Sequence, residues 1–285
     1  MKTLVVDGRS AIVTGANPQS QHNYDAPWRD AGFRFSGDVA MALLADFDDA
    51  WKQSMLWTCG AREDVDPAMC QAAPTPVTYT VLHADIPETT CQSMMVVTRA
   101  ADANPLSNRI DNTQDQALLA AFANAKTHIR MQTPNLNDDA AKQALLDAVK
   151  RGVLVDIVLA KGFNDSTEAL PGQGGTNVDN VAMLYDALAA AGVADACHKL
   201  RIRWYSHDGL RAVEGNGLYA SHEKYTSVDD QIVIVGTANM DTQSWNNSRE
   251  TNVLVDDAAV TRAWDTQLFE RDFGNAVLPD QCPTI

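Results

Sequence analysis

The sequence contains few basic residues for its length. Its 285 residues include 22 Lys and Arg against 37 Asp and Glu, which gives a formal net charge of −15. Proteins that bind nucleic acid nonspecifically present clusters of Lys and Arg, and so do proteins that bind to anionic lipid. The acidic balance therefore disfavours both kinds of binding, although it is compatible with a local basic pocket in an acidic body.

The sequence also lacks a long hydrophobic run. No apolar stretch approaches the roughly 20 residues that a helix needs to cross a bilayer. Met1-Lys2 leads directly into a predicted strand rather than into a signal peptide. We therefore expect no transmembrane segment, while the missing signal peptide says nothing about export if the sequence is a piece of a longer precursor.

Five cysteines are present, and none belongs to a CxxC pair. The histidines have no spacing typical of a zinc site, and most of them, His22 included, are scattered and receive no role. We therefore predict neither a metal nor a cofactor. Cys59 and Cys70 flank a short segment with Gly60 and Pro67 and are candidates for a disulfide, with buried free thiols as the alternative.

The most informative segment of the sequence runs from residue 221 to 230. It contains His222, Lys224 and Asp229, and Asn239 follows after the next predicted strand. In an extended segment alternate side chains share a face, so His222 and Lys224 should point the same way. An imidazole beside an ammonium, with an amide donor from the next strand, is suited to hold and attack a phosphate.

The beginning of the chain repeats this pattern 222 residues earlier. Lys2, Asp7 and Asn17 have the same spacing as the Lys, Asp and Asn of the later copy. The position that corresponds to the histidine would precede Met1, so the first copy has none. A single copy would be a weak signal, whereas two copies in register, each followed by Asn at the same distance, are a strong one.

The two copies resemble the paired HxKxxxxD motifs of the phospholipase D superfamily, most closely those of secreted bacterial phospholipases D. The stretches that carry the similarity are Leu4-Val5-Val6-Asp7-Gly8, Pro27-Trp28-Arg29-Asp30, Leu56-Trp57-Thr58-Cys59, Ser227-Val228-Asp229-Asp230 and Gly236-Thr237-Ala238-Asn239-Met240-Asp241. The resemblance covers most of the chain, but the first lobe is represented only from its motif onward, and we expect its N-terminal part to be missing.

The resemblance implies an α/β fold, a phospholipase D-like α-β-α sandwich of two pseudo-symmetric lobes with the first lobe incomplete. Residues 1–99 would be the C-terminal part of the first lobe, and residues 100–285 would be the second lobe. The alternation of predicted strands and helices independently predicts an α/β sandwich with a mixed sheet.

The resemblance also implies a two-step exchange at a phosphodiester through a phosphohistidine. The nucleophile would be the histidine that the first copy lacks, and His222 would be the general acid and base. Lys2 and Lys224 would hold phosphate oxygens as point charges. Asn17 and Asn239 would donate amide hydrogens to these oxygens, although turn chemistry is a serious alternative for each asparagine taken singly.

Four acidic residues complete the expected site. Asp7 and Asp229 would lock the motif loops rather than touch substrate. Asp30 would orient His222, because an imidazole needs a partner that fixes its tautomer and stabilises its charged form. Glu250 would have oriented the missing histidine.

The leading interpretation is a phospholipase D-type phosphodiesterase that hydrolyses or transphosphatidylates glycerophospholipids at a membrane surface. The alternatives are a phosphatidyltransferase of the cardiolipin synthase type, a nuclease of the same superfamily, which the acidic charge disfavours, and a non-catalytic fragment or binding protein. Since one of the two histidines is absent, we expect the chain alone not to hydrolyse phosphatidylcholine.

Two further expectations concern the setting of the protein. We expect a monomer, with a homodimer that pairs two copies of His222 as the alternative. The resemblance to exported enzymes implies a secreted or periplasmic protein whose cysteines form disulfides.

Overall fold

The computed structural model of the chain describes residues 1–22, 26–61, 91–104 and 107–283, with the main chain alone for residues 54–61. The disulfide predicted between Cys59 and Cys70 therefore lies outside the described residues. The chain divides into two compact units. One comprises residues 1–2, 13–33 and 92–285, and the other comprises residues 3–12 and 34–91. The division into lobes near residue 100 stays a prediction.

A hairpin and a helix lie largely in the smaller unit, while residues 13–14 and 32–33 of the strands described next belong to the larger unit. The hairpin strands are β1 (Thr3–Val6) and β2 (Ser10–Thr14), and β3 (Gly32–Ser36) completes a sheet in the order β1-β2-β3. Helix α1 (Asp38–Ala61) follows. Gly8, at the hairpin turn, has φ of +63°, and a Cβ there would lie 2.5 Å from Sδ of Met41. The turn and the helix therefore approach closely because this residue is glycine.

The larger unit is built on a seven-stranded sheet. Its strands are β4 (Ser93–Arg99), β5 (His128–Thr133), β6 (Leu154–Leu159), β7 (Leu200–Trp204), β8 (Tyr225–Val228), β9 (Ile232–Gly236) and β10 (Glu250–Asp256). The order across the sheet is β4-β10-β9-β8-β5-β6-β7. The pairs β5–β6 and β6–β7 are parallel, and the other pairs are antiparallel. The predicted mixed sheet is confirmed.

Helices follow the strands in the predicted alternation. They are α2 (Thr113–Asn124), α3 (Asp139–Lys150), α4 (Asp165–Glu168), α5 (Asn177–Ala190), α6 (Ala196–Lys199), α7 (Thr242–Asn246), α8 (Ala258–Trp264) and α9 (Glu270–Asn275), with a π-helical turn at Asp265–Phe269. Asp138 caps α3, since its carboxylate accepts hydrogen bonds from the N–H groups of Ala140 and Ala141. None of the helices in the described ranges is long and apolar enough to span a bilayer.

Helices cover both faces of the large sheet. Ile129 and Met131 of β5 pack in a core cluster with residues of α2, α3 and α5. Successive side chains of a strand point to opposite faces. On the other face Arg130 pairs with Asp265, in the π-helical turn, at 3.3 Å. The strands in the middle are therefore enclosed, which explains why β6 is a nearly continuous run of apolar residues.

A disulfide joins Cys197 to Cys282 in the larger unit. It ties α6 to the segment after the last helix and closes a loop over a sequence separation of 85 residues. Disulfides are expected from the family resemblance, but nothing in the sequence singles out this pair. Cys91 is free and exposed.

Candidate active site

The candidate site forms in the larger unit, where the chain around Arg29 lies beside the chain around Ser221. The N–H of Arg29 donates to the carbonyl of Ala220 at 2.7 Å, and the N–H of His222 donates to the carbonyl of Arg29 at 2.8 Å. The two segments thus form a parallel bridge. This pairing brings Asp30 to His222, 192 residues later in the sequence.

His222 and Lys224 lie just before β8 rather than on it. The sequence predicts a strand over residues 219–227, but β8 begins at Tyr225, because the main chain at His222 bonds to Arg29 instead of to a sheet neighbour. The two side chains nevertheless meet, and Nζ of Lys224 lies 2.7 Å from Nδ1 of His222.

The contact with Asp30 favours one tautomer of His222. Oδ2 of Asp30 lies 2.9 Å from Nδ1 of His222. An ionised carboxylate only accepts hydrogen bonds, so this contact favours the hydrogen on Nδ1 and the lone pair on Nε2. Nζ of Lys224 lies near the same nitrogen, and because an ammonium only donates, it can bond to Nδ1 only in the opposite tautomer.

The surroundings keep His222 neutral. Burial lowers the pKa of His222 to about 4, and the nearby charge of Lys224 acts in the same direction, against the hydrogen bond and charge of Asp30. Burial alone would raise the pKa of Asp30, but the Lys224 charge and the two imidazole hydrogen bonds hold it well below its usual range. At neutral pH the pair is thus a carboxylate and an unprotonated imidazole, which accepts a proton or attacks but does not donate.

Two lysines contribute positive charge at this site. Burial lowers the pKa of Lys224 to about 7, the charge of Lys2 acts in the same direction, and Asp30 opposes both. The charge of Lys2 also contributes to the low pKa of His222, so Lys2 lies within electrostatic reach of both residues. The carbonyl of Lys2 accepts from the N–H of Thr14 at 3.1 Å, which ties the first residues to the end of β2.

Gly15 leaves the space that Asp30 and Lys224 occupy. A Cβ at this position would collide with Oδ1 of Asp30 and would lie 2.9 Å from Cδ of Lys224. In the sequence Gly15 belongs to the repeated pattern, but nothing there shows that the site needs a residue without a side chain.

The two asparagines are arranged differently from the expectation. Nδ2 of Asn239 donates to Oδ2 of Asp241 at 2.7 Å, which is the turn chemistry that competes with phosphate binding. Its Oδ1 is buried without a hydrogen-bond partner. Asn17 is half-buried, and its carbonyl accepts from the N–H of Gln19 in a turn. Phosphate binding by these residues stays a prediction.

The aspartates of the two motifs occupy turns. Asp229 has φ of +56° and accepts hydrogen bonds from the N–H groups of Lys126, Thr127 and His128 at 2.8, 2.8 and 3.0 Å. It therefore fastens the turn after β8 to the connection between α2 and β5. Asp7 has φ of +53° and an exposed side chain in the smaller unit, at the turn after β1.

Glu250 is buried at the first position of β10. Its carboxylate accepts hydrogen bonds from the hydroxyls of Thr237 and Ser244. The α-amino group of Met1 lies 3.7 Å from Oε2 of Glu250. Glu250 therefore faces the beginning of the first motif, where the resemblance had placed the missing histidine.

His22, for which no role is predicted from the sequence, lies beside Asp30 in the structure. Nε2 of His22 lies 3.3 Å from Oδ2 of Asp30, the oxygen that also binds His222. The ring of His22 packs edge-on against Trp28, with 5.4 Å between centroids. His22 belongs to no repeated pattern, so the sequence carries no signal for this position.

Glu223 is a second residue that the sequence analysis missed. Its side chain is fully buried between the two motif residues, and Nη2 of Arg29 lies 3.3 Å from Oε2. Burial raises the pKa of Glu223 to about 8, although the charge of Arg29 opposes this shift. Arg29 also donates from Nε to Asp272 at 2.8 Å, so this guanidinium is shared between two acids.

The raised pKa of Glu223 leads to a prediction about how the stability of the protein depends on pH. Because its pKa is raised in the folded protein, the folded state binds more protons than the unfolded state between about pH 4.5 and 8. Glu223 therefore contributes stability that is complete at low pH and is lost as the pH rises through about 8. Glu223→Gln should flatten the decrease in unfolding free energy over this range by up to about 1.4 kcal/mol per pH unit. Urea denaturation at a series of pH values measures the slope of the unfolding free energy against pH.

The matched control for this prediction is Glu270→Gln, at an exposed position of α9. It should leave the pH profile of stability unchanged. Identical slopes for wild type and Glu223→Gln would show that Glu223 titrates in the folded protein as it does in the unfolded chain.

Comparison with known families identifies the domain that carries this site. Residues 118–273 match the family model described as "Cardiolipin synthase, PLD-like domain". The chain belongs to this family of phospholipase D-like domains. The matched segment contains His222, Lys224, Asp229 and Glu250, and the resemblance to the phospholipase D superfamily is confirmed.

Two relatives extend the likeness beyond the PLD-like domain itself. The sequence is 26% identical over 271 residues to the major cardiolipin synthase ClsA of Bacillus subtilis (strain 168), an alignment that covers 92% of this chain and 45% of ClsA. The chain thus spans less than half the length of that relative. The structure resembles a phosphatidylserine synthase from Haemophilus influenzae Rd KW20 with a TM-score of 0.61 and 11% identity, covering 96% of this chain and 61% of the synthase. This second likeness shows the fold.

Proposed function

We propose that the protein is a phosphatidyltransferase, which exchanges the alcohol of a glycerophospholipid, rather than the hydrolase that the motif flanks had favoured. The observation that carries the proposal is the buried pair of His222 and Asp30 beside Lys224 in a PLD-like domain. The curated relative is named a cardiolipin synthase, and the structural relative is named a phosphatidylserine synthase. Both names describe transfer to an alcohol.

The chemistry follows from the protonation of the site. The oxygen of the incoming alcohol forms a bond to phosphorus while the bond from phosphorus to the original alcohol breaks. The proton of the incoming alcohol moves to Nε2 of His222, which is unprotonated at neutral pH, and His222 then gives it to the departing alkoxide. Asp30 stabilises the imidazolium that results. Lys2 and the protonated form of Lys224, whose pKa is about 7, offset the negative charge on the phosphoryl oxygens. His222 thereby serves as base, and it returns this proton when it acts as acid.

The test is the ratio of transfer to hydrolysis, which is measurable even at a low rate. The purified chain is incubated with phosphatidylglycerol vesicles, and the lipid products are separated by mass spectrometry. We expect cardiolipin, or the phosphatidyl derivative of an added alcohol, to exceed phosphatidic acid, and we expect His222→Gln to form neither. Choline release from phosphatidylcholine should remain at background.

Two outcomes would overturn the proposal. Phosphatidic acid as the main product in saturating alcohol would identify a hydrolase. Cleavage of DNA by a protein that leaves all lipids intact would favour the nuclease.

The disulfide between Cys197 and Cys282 supports the further proposal that the protein is exported, because such bonds persist in oxidising compartments.

A further inference from the structure

Three metal-ligating side chains converge in the site. Oδ2 of Asp30 lies 3.3 Å from Nε2 of His22 and 2.9 Å from Nδ1 of His222. Ligand atoms from all three residues lie within 4.8 Å of one another. The side chains are 4%, 7% and 8% exposed for Asp30, His22 and His222 respectively. The cluster is therefore enclosed, unlike acidic groups that gather on a surface.

We propose that His22, Asp30 and His222 bind a divalent transition-metal ion of the Zn²⁺ type, and that this ion switches the site off. Tetrahedral Zn²⁺ binds imidazole nitrogen and carboxylate oxygen at about 2.1 Å, which places its ligand atoms about 3.4 Å apart. The distance from Asp30 to His22, 3.3 Å, is close to that separation, whereas the distance to His222, 2.9 Å, must lengthen by about 0.5 Å for the ion to bind. Two imidazoles and one carboxylate leave a fourth position for water.

The hydrogens of the two imidazole rings can be placed so that both rings bind this ion. Without metal, Nε2 of His22 and Nδ1 of His222 both donate to Asp30, which leaves Nδ1 of His22 as a buried acceptor without a partner. A metal ion takes lone pairs, so each ring must carry its hydrogen on its other nitrogen. Both rings remain neutral, no proton is released by them, and nothing is oxidised or reduced.

Lys224 makes metal binding and the active arrangement mutually exclusive. Its Nζ lies 2.7 Å from Nδ1 of His222 and 4.0 Å from Oδ2 of Asp30, where it repels a cation and occupies its space. The bound ion would also place a hydrogen on Nε2 of His222. If the proposed transferase function is right, that nitrogen then cannot accept the proton of the alcohol, and metal inhibits transfer.

The surrounding aromatic rings favour the ion once Lys224 has moved. Trp28 and Phe163 lie against His222, with 5.7 and 5.5 Å between ring centroids, and Trp28 also contacts His22. Such a shell keeps bulk water away, and electrostatic attraction between Asp30 and a divalent cation is stronger in this low-dielectric setting.

Metal binding is tested on the full chain without lipid. Chelator-treated protein is titrated with Zn²⁺ in a calorimeter and with Co²⁺ under visible absorption, where a tetrahedral site gives an intense band. We expect one ion per chain. His22→Gln should weaken binding at least about tenfold and remove the band, since even the loss of an outer-shell partner costs 10–100-fold. His198→Gln, at an exposed histidine, should change neither.

Lys224→Met provides a second, opposite test. Removing the competing ammonium should tighten Zn²⁺ binding, whereas damage to a merely structural cluster would not. Circular dichroism confirms that each variant is folded. Wild-type protein that binds no ion, or His22→Gln that binds as tightly as wild type, would overturn the proposal. Because the readout is binding, a failed lipid-transfer assay would refute the transferase without refuting the metal site.

Discussion

Placing a histidine directly before Met1, behind an added initiator methionine, should raise the rate of phosphatidyl transfer by about a hundredfold or more. The insertion restores the His-x-Lys spacing in front of Lys2. The α-amino group of Met1 already lies 3.7 Å from Oε2 of Glu250, so the new imidazole would be attached beside a buried carboxylate. Transfer product formed from phosphatidylglycerol per unit of enzyme is the measurement.

Three variants make this prediction specific. An alanine at the inserted position should give no gain, because it lengthens the chain without adding an imidazole. His222→Gln in the histidine-extended chain should return activity to background. Glu250→Gln in the same chain should remove most of the gain, since the new ring would lose its orienting partner. An equal rate for the alanine and histidine extensions would contradict the assignment of the first motif.

Replacing both Cys197 and Cys282 by serine should lower the free energy of unfolding by about 4 kcal/mol. The bond closes a loop over a sequence separation of 85 residues, and it stabilises the fold by restricting the unfolded chain. Urea denaturation of the oxidised protein and of the double variant measures the difference. The loss is large against the 5–15 kcal/mol that typical domains have in total.

Cys91→Ser is the control for the disulfide, because Cys91 is free and exposed. It should change the unfolding free energy by no more than about 0.5 kcal/mol. If the double serine variant unfolds at the same urea concentration as the oxidised protein, the bond contributes no net stability.

The fold was largely predictable because its signals are local. Short apolar runs in the sequence predict strands at residues 3–7 and 11–15, separated by a turn at Gly8-Arg9, and at residues 153–159, and β1, β2 and β6 lie there. The sequence also predicts a helix over residues 138–151 that ends at Gly152, and α3 lies within this range. The beginning of β8 was placed too early, since the partner of His222 is a segment nearly 200 residues away.

The site was predictable only as far as the repeated motif reached. His222 and Lys224 are named by the repeat, and Asp30 followed from the family resemblance. His22 and the Arg29–Glu223 pair were not found, because their roles arise when segments far apart in the sequence lie side by side. A buried glutamate between two motif residues looks, in the sequence, like any solvated charge.

The choice between hydrolase and transferase shows a different limit. The buried imidazole, carboxylate and ammonium act on a phosphodiester in the same way whether water or an alcohol attacks. The motif therefore indicates the reaction centre, while the acceptor depends on residues around it that the motif does not contain. The flanks led to the hydrolase, and the transferase is a proposal that draws on the name of the relative from Bacillus subtilis.

The site limits which residues can replace Gly15. Any replacement adds a Cβ where Oδ1 of Asp30 lies, and would push the carboxylate away from the imidazole that it orients. The atoms that a Cβ would meet belong to Asp30 and Lys224, the two side chains beside the imidazole of His222. A copy of this sequence that keeps the chemistry should therefore keep a glycine here.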